Sequence, residues 1–240
     1  VKDKPKAMLD IKGKTILGRQ VEVLNNCGVK HIAVVRGYQK QAVDLPNLRY
    51  YDNDDYGSTN ELVSMMAARK EMAGSVVLLY GDILFEESVL QKLLKSPADI
   101  TLLVDRAWNE ASRPSDAGAP DLVVLEDAQE AGYRFVGAEQ PHKVKTISSK
   151  LDAGEAHGEF VGLALFNDAG SKAARDVAAQ LEKEHEGPLH DASSLAEAGL
   201  TDFFQELIAR GHDVQAVDVY KGWLEVDTFE DYKRAWALIS

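Results

Sequence analysis

Four short stretches hold side chains that could act on a phosphorus centre or hold a cation. Lys6 follows Pro5 near the start of the chain. It reads as a fixed ammonium aimed at a phosphate, or as an ordinary solvated lysine. Asp82 ends the run Leu78-Leu79-Tyr80-Gly81-Asp82. A carboxylate there sits at the C-terminal end of a buried strand, where open α/β sheets bind ligands. Its oxygens suit a hard cation such as Mg2+; the alternative is a turn residue capping the next helix. Glu225 and Asp227 stand two apart in Gly222-Trp223-Leu224-Glu225-Val226-Asp227. On a strand they face the same side, which is unfavourable unless a cation or water lies between them; an exposed strand edge is the plainer reading. Residues 51–62 are polar, contain Gly57, and join a strand-like run to a helix-like one. The helix start there offers free N–H donors to an anion, or is simply capped. The histidines (31, 142, 157, 185, 190 and 212) have no metal-ligand spacing, and Cys27 reads as packing at a helix end.

The elements that would position these groups alternate. Short apolar runs at 31–36, 75–80 and 99–105 read as strands buried on both faces, and suit a mostly parallel sheet covered by helices. A helix is expected over 16–27, ending at Gly28, and another over 60–72 with Thr59 as its N-cap. Further helices are expected at 86–95, 169–184, 194–210 and 229–239, with Thr228 and Asp231 as a capping box for the last. Residues 109–120 lack periodicity and read as a loop. The β-like runs at 121–125, 133–136, 143–148 and 159–166 follow it without helices between them, so a β-rich insertion is expected at about 105–166. A strand at 214–219 precedes the third carboxylate stretch, and Trp108 and Trp236 read as structural.

Composition narrows the function. The 240 residues are 45% hydrophobic and 28% charged, which is ordinary for a globular chain with a real core. The net charge of −12 and the lack of a basic cluster beyond Lys2-Asp3-Lys4-Pro5-Lys6 argue against a nucleic-acid polymer as partner. The longest apolar run, 160–166, is far short of the roughly 18 residues of a membrane span. The charged start is unlike a signal peptide, and one cysteine allows neither an internal disulfide nor a cysteine zinc site, so a cytoplasmic setting is expected.

The order of the signals is more specific than any one of them. Pro5-Lys6 is followed by Ile16-Leu17 and a helix, then by a strand ending at Gly37-Tyr38. Next come Tyr56-x-x-Thr59-Asn60-Glu61-Leu62-x-Ser64, Tyr80-Gly81-Asp82, and Gly222-Trp223-x-Glu225-x-Asp227-Thr228-x-Glu230-Asp231. In this order the chain resembles, over nearly its whole length, the nucleotidyltransferases that activate small phosphorylated compounds with an NTP. Within that family it resembles above all the choline-phosphate cytidylyltransferases and their phosphonate relatives. The stretches 59–65, 121–123 and 158–163 look like the phosphonate branch.

The resemblance implies a single nucleotidyltransferase domain over 1–240, of the Rossmann-like nucleotide-diphospho-sugar transferase type. It also implies a first strand and a Gly-x-Gly-x-Arg loop upstream of Pro5-Lys6, before the first residue of this chain. CTP and a small phosphonate or phosphorylated amino alcohol would be the substrates, with Mg2+ held by Asp82 and Asp227. Lys6, Asp82 and Asp227 would be catalytic. Tyr56, Thr59, Asn60, Ser64, Glu159, Trp223 and Glu225 would bind the acceptor, with Asp52 and Glu61 as further carboxylates for a cationic headgroup. Gly37, Tyr38 and Gly81 would bind the nucleotide. A homodimer and a fusion to a phosphonate-biosynthesis domain are compatible with the family. Two alternatives stay open: a sugar-1-phosphate nucleotidyltransferase using another NTP, and a non-catalytic nucleotide-binding module. A nicotinamide-binding Rossmann domain lacks its Gly-x-Gly-x-x-Gly here.

Overall fold

Each long apolar run becomes a strand in the computed structural model, which describes residues 4–110, 118–126 and 141–239. A 3-10 turn at Lys6–Met8 leads to the hairpin of β1 (Asp10–Ile11) and β2 (Lys14–Thr15). Then follow α1 (Ile16–Asn26), β3 (Ala33–Arg36), β4 (Arg49–Asp52), α2 (Glu61–Ala67), β5 (Val76–Leu79), β6 (Ile83–Phe85) and α3 (Glu87–Leu94). The second half holds β7 (Ile100–Asp105), β8 (Leu122–Leu125), β9 (His142–Ser148), β10 (Gly158–Phe166), α4 (Asp168–Glu184), α5 (Leu200–Ala209), β11 (Val214–Val219), β12 (Trp223–Glu225) and α6 (Phe229–Leu238). Among the described residues no helix is long and apolar enough to cross a membrane.

The central sheet has six strands in the order β5-β10-β7-β11-β9-β8. It is mixed, which corrects the expected mostly parallel sheet. Within it β7 and β11 pair in parallel, from Ile100 opposite Val214 to Asp105 opposite Val219, while β10 runs antiparallel to both β5 and β7. The sequence pattern misleads because a strand buried on both faces is continuously apolar whichever way it runs. All nine residues of β10 are buried. The expected β-rich insertion is also corrected: β8, β9 and β10 are members of this same sheet. The run at 133–136 lies outside the described residues.

Alternation along β10 divides the core. Phe160, Ala164 and Phe166 join one cluster with Phe203, Phe204 and Leu207 of α5 and Ala174 and Val177 of α4. Val161, Leu163 and Leu165 join another with Leu24 of α1 and Val89, Leu90 and Leu93 of α3. The pairing along β10 is broken once. The register with β7 shifts between Phe160 and Ala164, and Gly162 takes φ +80 with the Tyr80 ring packed over its Cα. A Cβ there would lie 2.4 Å from the ring. Gly162→Ala is expected to destabilise the fold by about 2–3 kcal/mol, combining left-handed strain with overpacking. Urea unfolding would show a lower midpoint at unchanged slope; an unchanged midpoint would mean the ring moves aside freely.

Helix ends follow their capping chemistry. Thr15 accepts from Gly18 N at 3.0 Å to start α1. Thr228 and Asp231 form the expected capping box of α6. Two expected helices are shorter. α2 has Asn60, not Thr59, as its N-cap, and it gives way at Ala67 to a 3-10 turn at Arg69–Glu71. Thr59 instead donates to Asp55 O at 2.9 Å and accepts from Asn53 Nδ2 at 2.9 Å. α5 begins at Leu200, after an irregular segment over 194–199. Trp236 is 44% exposed on α6, and its ring lies 6.1 Å from that of Tyr232, which packs against the core beside Ile11 and Val226.

Candidate active site

Pairing of β6 with β12 gathers the carboxylates. Ile83 lies opposite Glu225, and Asp82 O accepts from Val226 N at 2.9 Å. Asp82 precedes β6 and Asp227 follows β12, so chain segments more than 140 residues apart bring Asp82, Glu225 and Asp227 together. One oxygen from each lies within 4.8 Å of the others. The strand expected to hold both Glu225 and Asp227 ends at Glu225. The 3-10 turn after Pro5 carries Lys6 to the same place. Its ammonium donates to Asp82 Oδ2 at 3.4 Å and to Asp227 Oδ1. Asp82 does not cap α3, whose N-cap is Glu86.

These groups stand in a cavity of about 540 Å3. Its wall carries eight carboxylates, those of Glu61, Asp82, Asp121, Asp191, Glu197, Asp202, Glu225 and Asp227, against the two ammoniums of Lys6 and Lys150. Asn60 and Gly81 also line it. Glu225 and Tyr80 continue into a small adjoining space, where Glu159 and Trp223 lie beside Asp121. Glu159 is buried, and Trp223 donates its indole N–H to Asp105 Oδ2 at 2.8 Å.

Charge crowding sets the protonation chemistry. Burial pushes the Asp82 carboxyl up and Asp227 adds to the shift, with Lys6 opposing; the net is a raised pKa. Glu61 is raised as well, by burial first and then by Asp121, Asp82 and Asp202. Tyr80, between Asp121 and Glu61, is held well above the usual phenol range, mainly by burial. Burial alone would lower Lys6, but its bonds and charge contacts with Asp227 and Asp82 outweigh it, so the ammonium is held above the ordinary lysine value. Such a site favours cationic ligands. Three carboxylate oxygens at this spacing fit a hard divalent cation, whose preferred donors are oxygens.

The other sequence-singled residues lie elsewhere. Gly37, Tyr38 and Tyr56 form a surface cluster away from the cavity wall. The two exposed rings meet edge-on with centroids 6.1 Å apart, and Tyr56 packs on Gly37 where a Cβ would lie 2.6 Å from its own Cβ. Asp52 pairs with Arg36 at 3.0 Å and Lys40 at 3.3 Å. Thr59 and Ser64 are both held by Asn53 Nδ2, at 2.9 and 3.1 Å, which fixes the loop leading to Asn60 and Glu61. Two of the donors expected to serve an anion at the start of α2 are in use. Asn60 N donates to Ala196 O at 2.8 Å and Leu62 N to Ala198 O at 3.2 Å.

Sequence reading does not single out Lys150, Asp191, Thr201 or Asp202, which also line the cavity. Asp202 accepts from Gly199 N at 2.9 Å and from Asp191 N at 2.8 Å, tying the irregular segment to α5. A carboxylate three residues after a glycine at a helix start is the one local signal for it.

Residues 2–144 match the MobA-like NTP transferase domain. The chain is 27% identical to the CTP:phosphoglutamine cytidylyltransferase of Campylobacter jejuni, over 96% of this chain and 90% of that protein. It is 32% identical to the CMP-5'-(3-aminopropyl)phosphonate synthase of Streptomyces rubellomurinus, over 62% of this chain and 25% of that longer protein. The fold superposes on the CTP:phosphocholine cytidylyltransferase of Streptococcus pneumoniae with a TM-score of 0.70, covering 99% of this chain and 90% of that one. The identity in that superposition is 16%, so it speaks for the fold alone.

Proposed function

The chain belongs to the MobA-like NTP transferase family and is a nucleotidyltransferase, and we propose that it is a Mg2+-dependent cytidylyltransferase joining CTP to a small phosphonate or phosphorylated amino alcohol, of the 2-aminoethylphosphonate or phosphocholine class. The observation that carries this reading is the cavity itself: Lys6, Asp82 and Asp227 meet at one wall, and carboxylates dominate the rest. A sugar phosphate has no cationic group for such a wall to meet. An ammonium-bearing acceptor has one.

In this reading an acceptor oxygen, already ionised at neutral pH, attacks the α-phosphorus of CTP. The new P–O bond forms as the bond to the β-phosphate oxygen breaks, and pyrophosphate leaves with the electron pair. The protein's work is positioning and charge neutralisation. Asp82 and Asp227 would hold Mg2+, which when bound would supply positive charge for the transfer. Lys6 supplies a second positive charge and stays protonated, so it acts as a cation and not as a base. Glu225, with Glu61 and Asp121 of the same lining, meets the acceptor's ammonium. Gly81, beside Asp82, leaves room for the nucleotide, and Asn60 shapes the acceptor end.

The test is pyrophosphate release by the full-length protein with Mg2+, crossing four NTPs with phosphocholine, 2-aminoethylphosphonate, phosphoglutamine, simple phosphonates and glucose-1-phosphate. Release with CTP and an ammonium-bearing acceptor is expected. Release with the sugar phosphate in preference would overturn the acceptor class and leave the transfer chemistry standing. Silence across the grid together with CTP binding would replace catalysis by a binding role.

A further inference from the structure

We propose that Gln20 is the positioning residue that fixes Asp82, and that it thereby sets the cation affinity of the carboxylate group; this rests on the cation-binding reading of Asp82 and Asp227 above. Gln20 lies in α1 and is 2% exposed, between Ile16 and Leu24 on the helix's buried face. A buried amide needs partners for both N–H bonds. Gln20 Nε2 donates to Tyr80 O at 2.9 Å and to Ile83 O at 2.8 Å. These two carbonyls bracket the Gly81-Asp82 step. Both partners are acceptors, so the amide has only one orientation that satisfies them.

The bend that carries Asp82 is therefore gripped on several sides. Tyr80 N donates to Gly162 O at 3.0 Å, and Asp82 O accepts from Val226 N at 2.9 Å. Those two bonds tie the bend to β10 and to the segment bearing Asp227. Gln20 alone among these groups holds both flanks of Asp82 with a single side chain. Its bonds go to the backbone, so it acts on a bound cation through the placement of Asp82. Groups hydrogen-bonded to a metal's ligands commonly change its affinity by about ten- to a hundredfold when removed, and Gln20, which acts one step further out through the backbone, is placed at the low end of that range.

The experiment is Mn2+ binding to the full-length protein without nucleotide, followed by electron paramagnetic resonance, in parallel with thermal melting. Gln20→Met keeps length and removes the donors; it is expected to weaken Mn2+ binding about tenfold. Ser171→Ala is the control. It removes the 2.8 Å bond from the buried Ser171 of α4 to Gly74 O, and should lower the melting temperature while binding Mn2+ like wild type. Should Gln20→Met fail to fold, Gln20→Asn, a methylene too short to span both carbonyls, is expected to weaken Mn2+ by about threefold or more. Wild-type Mn2+ affinity in a folded Gln20 variant overturns the proposal. So does an equal loss in Ser171→Ala, which would make the effect one of general stability. Failure of the wild-type protein to bind Mn2+ overturns the cation reading of the site instead.

Discussion

Asp82→Asn and Asp227→Asn are each expected to lower kcat by about a hundredfold or more without unfolding the protein. An amide keeps the shape of a carboxylate and removes its charge, so the change falls on cation binding and not on packing. Neither side chain is deep in the core: they are 24% and 26% exposed. For Asp82 the sign of the stability change also follows. Its pKa is raised, chiefly by burial, so the folded state binds the proton more tightly than the unfolded chain does. Stability then falls as pH rises from the unfolded value through the raised folded one, and at neutral pH the charged side chain weakens the fold. Asp82→Asn removes that charge. It should melt at or above the wild-type temperature while turning over far more slowly, the opposite movement expected of a charge kept for function. Pyrophosphate-release rates and melting curves on the same preparations check both halves. Normal turnover in either variant would remove that aspartate from the catalytic set.

Local signals were legible where the physics is local. Gly28 ends a helix, Thr228 and Asp231 cap another, and a carboxylate after an apolar strand sits at the strand's end. Strand direction was not legible, because the unbroken apolar run of β10 fits either direction between neighbours. Nor was the break at Gly162, which answers to the ring of a residue 82 positions away. Asp121 and Asp202 reach the cavity only through the sheet order and the docking of α5; the resemblance at 121–123 and the glycine before Asp202 mark the local pattern but not the cavity they line. The start of α2 looked like an anion site because its donors are free in an isolated helix; the carbonyls of Ala196 and Ala198 claim two of them. Gln20 did leave a trace. A polar residue four after Ile16 and four before Leu24 lies on the apolar face, and a polar group there must find buried partners.

Lys6→Ala is expected to lower kcat by about a hundredfold, the size found when one preorganised donor to a developing negative charge is lost. A structural ion pair would predict something else, and the geometry separates the two. Lys6 bonds to both Asp82 and Asp227, two of the three carboxylates whose oxygens cluster within 4.8 Å. Its ammonium therefore competes with a divalent cation for those oxygens, and the side chain is 46% exposed, so the pair gives little stability. Removing the ammonium should leave the melting temperature nearly unchanged and Mn2+ affinity unchanged or tighter, because a competitor is gone. If Lys6 served only to hold the two carboxylates in place, its loss would instead weaken Mn2+ binding along with turnover. Lys6→Arg adds a second discrimination. It keeps the charge, but a planar fork replaces a compact ammonium, so partial recovery of kcat marks charge as the needed property. Turnover of Lys6→Ala at the wild-type rate would return Lys6 to the solvated class.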